Sequence, residues 1–225
     1  MTKLTTPYGG KLVNLLVSDA ERKELNARAT SMPSLQLSPR ALCDLELLAT
    51  GGFSPLSRFM GSKDYQRCIQ EMRLADGHIF SIPVTLPIAD PASVKLDGMV
   101  ALRDQYYKVI AVMRVEEIFP WNLEEEAQLV YGTTDVAHPI VAEMTKWPRH
   151  YISGELKVLE LPTHVDFPAL RRTPAEVRAM LEQMGSSKVV AFQTRNPIHR
   201  AHEELTKRAA PSIQGSLLFH PVVGM

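Results

Sequence analysis

The hydrophobic pattern of this chain changes character twice. After a turn at Gly9-Gly10, a short apolar run over 12–17 reads as extended backbone. Ser18-Asp19-Ala20-Glu21 has the form of a capping box, in which Ser18 accepts from the Glu21 amide and Glu21 reaches back. It predicts a polar helix to about Ala29. Ser38-Pro39 predicts a second helix, with Ser as N-cap and Pro at the first helical position. Its apolar residues Leu42, Leu45, Leu48 and Ala49 share one face, and Gly51-Gly52 ends it. An apolar loop over 53–61 leads to a third helix, which Ser62 is expected to cap and which runs to about Arg73.

From there the period shortens. Residues 79–88, 94–102 and 106–118 read as strands, separated by turn signals at Asp90-Pro91, with Asp97-Gly98 marking a tight hairpin or bulge. Pro83 and Pro87 confine the first of them to an edge or bulged position. Asn122 starts a short helix ending near Gly132. Residues 132–150 read as irregular and polar, and 152–159 as a strand.

The second change comes after 162–168, a Pro-bounded stretch that reads as a domain boundary. Thr173-Pro174-Ala175-Glu176 is a further capping box, and its helix runs to Gly185. A strand over 188–193, a helix to about Ala210, Pro211 and a strand over 216–220 follow. Alternation of this kind is the signature of a parallel sheet. Both faces of such a sheet need cover, which two strands cannot organise alone. The remaining strands are therefore expected outside these residues, with the chain a fragment of a larger protein.

Composition narrows the class without changing this picture. The chain has 225 residues, 45% hydrophobic and 22% charged, and zero formal net charge, as an ordinary globular protein does. Residues 1–162 carry 17 Lys+Arg against 20 Asp+Glu, whereas 163–225 carry 8 against 5. The basic bias of the second part suits an anionic ligand but is too weak for nucleic acid. Cys43 and Cys68 form no CxxC pair and read as free core thiols in a reducing compartment. No run approaches a membrane span, and the N-terminus lacks a signal-peptide core. A cytoplasmic location and no membrane partner are the resulting expectations. Trp121 and Trp147 are expected at domain seams.

The candidate chemistry lies where the 188–193 strand meets the next helix. Gln193, Thr194, Arg195 and Asn196 occupy the turn, where an α/β sheet presents its binding site. Free amides at the helix N-terminus favour an anion, and Arg195 adds a fork suited to a tetrahedral oxyanion. His199 and His202 are three apart, so both face one way in the first turn and can donate to phosphate oxygens. Half of such pairs, roughly, are surface or core histidines on the side-chain roles of histidine. A zinc site lacks a third ligand nearby. There is no P-loop, no GxGxxG after a strand and no nucleophile elbow.

The run Gln193-Thr194-Arg195-Asn196-Pro197-Ile198-His199-Arg200-Ala201-His202-Glu203 resembles the signature of the ATP sulfurylase (sulfate adenylyltransferase) family. Residues 51–60 (GGFSPLSRFM), 131–139 (YGTTDVAHP) and 220–224 (HPVVG) resemble the same family, so the likeness runs through essentially the whole chain. It implies an α+β chain: a PUA-like β-rich domain over 1–162, then the start of an α/β Rossmann-like nucleotidyltransferase domain over 163–225. The implied reaction converts ATP and sulfate to adenosine 5′-phosphosulfate (APS) and pyrophosphate. By resemblance, Gln193 and Arg195 hold sulfate, and Thr194, Arg195 and Asn196 form the active-site turn. The ATP-binding set comprises Gln193, Thr194, Arg195, Asn196, His199 and His202. Asn196 also contacts the nucleotide phosphates, and the two histidines stabilise them as pyrophosphate leaves. Magnesium travels with ATP, no dedicated metal site is implied, and the full-length form is expected to be a homo-oligomer. The family continues into a GRD-type nucleotide-binding segment; here Arg103-Asp104 lacks the preceding Gly. The rival readings are another HxxH nucleotidyltransferase with a different acceptor, a sulfurylase-like inactive chain and an RNA-binding module. The net acidic charge of 1–162 speaks against the last.

Overall fold

The computed structural model describes residues 4–222, so Val223 and Gly224 of the HPVVG element lie outside the described residues. The chain divides into two compact units: Pro7–Arg171, and a smaller one joining the segment before Pro7 to the residues from Arg172 onward.

The larger unit is a mixed α and β structure on a five-stranded sheet. Helix α1 (Asp19–Arg28) starts at Ser18, whose hydroxyl accepts from the Glu21 amide at 3.3 Å. The expected return bond is absent. Glu21 instead takes the ammonium of Lys157 at 2.7 Å, because an opposite charge outcompetes a neutral amide. Helix α2 (Pro39–Thr50) follows its predicted cap and buries Ala41, Leu45, Leu48 and Ala49, and Gly51 closes it with φ of 84°. Helix α3 (Ser62–Glu71) is capped differently from the sequence expectation. Gly61 is the N-cap, and the Ser62 amide and hydroxyl both donate to the carboxylate of Glu117, the hydroxyl at 2.8 Å. A distant acid thus does the work expected of a local serine.

The sheet runs β1 (Ser34–Gln36), β3 (Met99–Arg103), β4 (Val109–Pro120), β5 (His150–Val158) and β2 (Pro87–Ile88). β1 joins in parallel, and the other pairings are antiparallel. Only two residues of the strand expected over 79–88 enter the ladder, at an edge; prolines without N–H groups leave little more to pair. β1 escapes sequence reading because three residues carry no period. β4 is bulged between Val115 and Glu117. A Cβ at Gly154 would stand 1.9 Å from the Arg114 carbonyl, so only glycine admits this approach of β5.

Helix α4 (Leu123–Tyr131) follows its Asn122 cap. The stretch read as irregular contains α5 (Pro139–Met144), with Val141 and Met144 fully buried. His138-Pro139 supplies an extended residue and then Pro at the first helical position, a start signal hidden by the polar surroundings. Cys43 is exposed rather than in the core; Cys68 is buried, donates to the Phe80 carbonyl at 3.1 Å, and burial pushes its thiol up to about 12. Trp121 belongs to this unit's core rather than to a seam. It stacks on Tyr151 at 4.9 Å, and its indole N–H donates to the Pro148 carbonyl.

At the heart of that core lies a buried carboxyl group. Glu126 of α4 is 1% exposed, and one carboxylate oxygen accepts from both Tyr65 and Tyr151 at 2.9 Å. Burial raises its pKa, and the two phenols oppose the shift.

The smaller unit is lean. Helix α6 (Pro174–Gln183) has both bonds of its predicted capping box. Strands β6 (Val189–Thr194) and β7 (Ser216–Pro221) pair in parallel around the crossover helix α7 (Arg200–Ser212). Pro211 sits within the last turn of α7 rather than after it. No side chain of these four elements is fully buried.

The raised pKa of Glu126 makes stability depend on pH. The folded carboxyl keeps its proton where the unfolded chain has released it. Its contribution is full below the unfolded pKa and is lost as pH rises through the folded one. Glu126→Gln keeps an acceptor for both phenols and removes the titration. Thermal melts from about pH 4 to about pH 7 are expected to show the variant gaining on the parent as pH rises. Parallel Tm curves would show that the buried carboxyl does not titrate in this way.

Candidate active site

The turn after β6 is set by one side chain. The Thr194 hydroxyl accepts from the Asn196 amide at 3.1 Å and donates to the Asn196 carbonyl at 3.2 Å. Threonine suits both jobs: its branch favours the strand it ends, and its oxygen folds the next two residues back. The Thr194 carbonyl accepts from the Val222 amide at 2.8 Å, anchoring the strand end. Gln193 precedes it on the opposite face, in register with His220, and both are exposed.

Arg195 and Asn196 are exposed on the turn. The nearest acids in sequence are occupied elsewhere: Glu203 pairs with Lys207, and Glu204 with Arg208 at 3.4 Å. The Arg195 guanidinium therefore has no carboxylate partner among the described residues. His199 is the N-cap of α7 rather than part of its first turn, with extended backbone and no side-chain cap bond. The first-turn amides of α7 thus keep no capping acceptor from this side chain, and the helix dipole adds to their pull on an anion.

His202 stands three residues on, and N-cap and third helical positions are neighbours in space. The two imidazole centroids are 3.9 Å apart, tilted by 33°. His202 Nδ1 is buried with no hydrogen-bond partner. The spacing read from sequence thus brings the rings together, although only one of them lies in the helix. Among the described residues no three His, Cys, Asp or Glu side chains converge on a metal position.

All six predicted residues, Gln193 to Asn196 with His199 and His202, therefore lie along one strand–turn–helix passage. The passage combines a cation, neutral donors and open amides, and it includes no activated nucleophile. Such a set can hold a tetraoxo anion and absorb charge on a leaving phosphate. The aromatic support beneath it was not read from sequence: Phe192 contacts His202 at 5.4 Å and stacks on Phe219 at 5.8 Å. The signal was strand register, which sequence alone did not fix. A cleft of about 430 Å³ in the larger unit, beside Arg40, Asp44 and Phe53, includes none of these residues.

Residues 5–161 match the family described as a PUA-like domain, which sets the class of the larger unit. Residues 168–225 match the family described as ATP-sulfurylase. The chain belongs to the PUA-like domain family over most of its length, and its C-terminal part is similar to the ATP-sulfurylase family. It is 46% identical over 226 residues to a sulfate adenylyltransferase of Phaeosphaeria nodorum, covering 97% of this chain, and 45% identical over 227 residues to one of Emericella nidulans, covering 98%. It spans 39% of the length of each of these relatives. Among solved structures it resembles the hexameric APS kinase from Thiobacillus denitrificans, with TM-score 0.80 and 33% identity over 99% of this chain and 40% of that one.

If the Thr194 hydroxyl holds the turn, Thr194→Val keeps shape but frees Asn196. Pyrophosphate affinity by titration calorimetry is expected to fall roughly three- to tenfold, about the net worth of one hydrogen bond. Thr194→Ser should restore it. Equal affinities for all three proteins would show that the turn holds without the hydroxyl.

Proposed function

We propose that this chain supplies the sulfate- and triphosphate-binding half of a sulfate adenylyltransferase site. In the reaction, a sulfate oxygen attacks the α-phosphorus of ATP in line. The new P–O bond gives APS, and the bond to the β-phosphate oxygen breaks to release pyrophosphate. The observation that carries this reading is the passage from Gln193 to His202, with Arg195 at a strand end, unpaired among the described residues, and two touching imidazoles at the following helix start. The relatives that match this chain are named for this activity.

Gln193 and Arg195 hold sulfate, the arginine by its two-pronged fork. Thr194 shapes the turn and Asn196 contacts the nucleotide phosphates. His199 and His202 donate to the phosphates as charge builds on pyrophosphate. No protein nucleophile is required, since sulfate is the attacking group. Magnesium arrives with ATP, whose phosphate oxygens suit it. The adenosine half belongs to the part of the relatives' length that this chain does not span.

The functional boundary lies in the linker, with a PUA-like domain over 1–162 and the start of a Rossmann-like nucleotidyltransferase domain over 163–225. Direct β6–α7–β7 parallel pairing supports the Rossmann-like reading. The structural neighbour is hexameric, which supports homo-oligomer formation. Among the described residues no helix is long and apolar enough to cross a membrane. The neutral overall charge suits a cytoplasmic protein that does not bind nucleic acid.

The test is pyrophosphate release from ATP with and without sulfate, using the protein extended to its relatives' length. Release is expected only with sulfate, and selenate or molybdate should compete. Arg195→Ala and Arg195→Lys are both expected to lower sulfate-dependent turnover by at least roughly a hundredfold, since a point charge does not replace the fork. Sulfate-independent release would sink the sulfurylase reading and leave another nucleotidyltransferase in its place.

A further inference from the structure

We propose that Phe219 of β7 is a positioning residue that sets the orientation of His202 by way of Phe192. The inference rests on the reading of His202 as a phosphate-contacting group.

The geometry begins with strand register. β6 and β7 pair in parallel with Phe192 directly opposite Phe219, so the two rings leave the same face of the sheet. They stack at 5.8 Å and 22°. The Phe192 ring meets His202 on α7 at 5.4 Å and 52°, and His202 meets His199 at 3.9 Å and 33°. Four rings thus form one continuous column, from the second strand through the first to the helix start.

A histidine that must present one nitrogen to a ligand is usually oriented by a hydrogen bond to the other. His202 has no such bond: its Nδ1 is buried without a partner. Its orientation is left to packing, and its ring contacts among the described residues are with Phe192 and His199. His199 is itself exposed and makes no side-chain cap bond, so it cannot act as the fixed end of the column. Phe192 and Phe219 are both half-buried and paired in the strand ladder, so the column's support lies in the sheet, with Phe219 behind Phe192. Neither phenylalanine has a polar atom for ATP or sulfate to bond. Their contribution is shape, and a displacement of about 1 Å at a reacting group can cost up to a hundredfold in rate.

Two variants separate positioning from bulk packing. Phe219→Leu keeps an apolar side chain and loses the flat ring; Phe219→Tyr keeps the ring. The first readout needs no substrate. In the 225-residue chain with labelled histidine, the His202 ring protons are expected to move in Phe219→Leu, as Phe192 shifts and its ring current changes, and to stay in place in Phe219→Tyr. The second readout is sulfate-dependent turnover in the extended protein. There, Phe219→Leu should lower kcat about tenfold with little change in KM, and Phe219→Tyr should restore it. Equal thermal midpoints show that the variants are folded.

Unmoved His202 resonances in Phe219→Leu would overturn the proposal. So would equal loss of turnover in both variants, which would mark Phe219 as mere packing. Moved resonances without any sulfate-dependent turnover in the parent would uphold the positioning and defeat the sulfurylase reading instead.

Discussion

A parallel strand pair sends both carboxyl ends to the same edge, and the candidate site depends on that constraint. Because β6 and β7 run together, the turn after Thr194 and the end of β7 meet there, closed by the bond from the Val222 amide to the Thr194 carbonyl. The crossover helix must then return from that edge, so its N-terminus opens beside the turn. Arg195, the open amides and the two imidazoles come together through connectivity. None of them has to be held in a buried cavity. The register that aligns Gln193 with His220 also aligns Phe192 with Phe219, so site and support follow from one pairing.

The two units solve the problem of stability differently. The larger one packs Phe119 and Trp121 on Tyr65 and Tyr151, and both phenols donate to the buried Glu126 carboxyl. A buried carboxylate is tolerable only with such donors, and it links α4 with α3 and β5 through bonds that accept one geometry. The smaller unit has no fully buried side chain in its helices or strands, and it leaves Leu205, Ile198 and Met184 exposed. A sheet of two parallel strands exposes both faces to solvent. That fits a chain spanning 39% of its relatives' length.

What was legible in the sequence follows from the range of the interactions. Ser38, Asn122 and Thr173 cap helices through bonds to residues three positions on, so their signals are complete in a few letters. Ser62 failed because its partner, Glu117, is 55 residues away. The Glu21 half of the first capping box failed because Lys157 is farther still. The strand over 79–88 shrank to two residues because alternation cannot tell a ladder from an extended edge with prolines. At the site, the polar turn and the histidine pair are local and were readable, as was the family resemblance. Phe192 and Phe219 were not, since their stacking needs a register between strands 27 residues apart.

The orientation of the imidazoles bears on why aromatic packing suits this site. A carboxylate placed behind His202 would fix its ring by a hydrogen bond, but it would also bring negative charge beside the position proposed for a polyanion. At these separations like charges repel substantially in a low-dielectric surrounding. Phenylalanine orients by shape and adds no charge. The acids nearby, Glu203 and Glu204, are tied to Lys207 and Arg208 one turn further along α7, away from its N-terminus. The local field at the turn is thereby left to Arg195 and the helix dipole. A site that works by holding anions, with the attacking group supplied by the substrate, gains more from that arrangement than from a hydrogen-bonded acid.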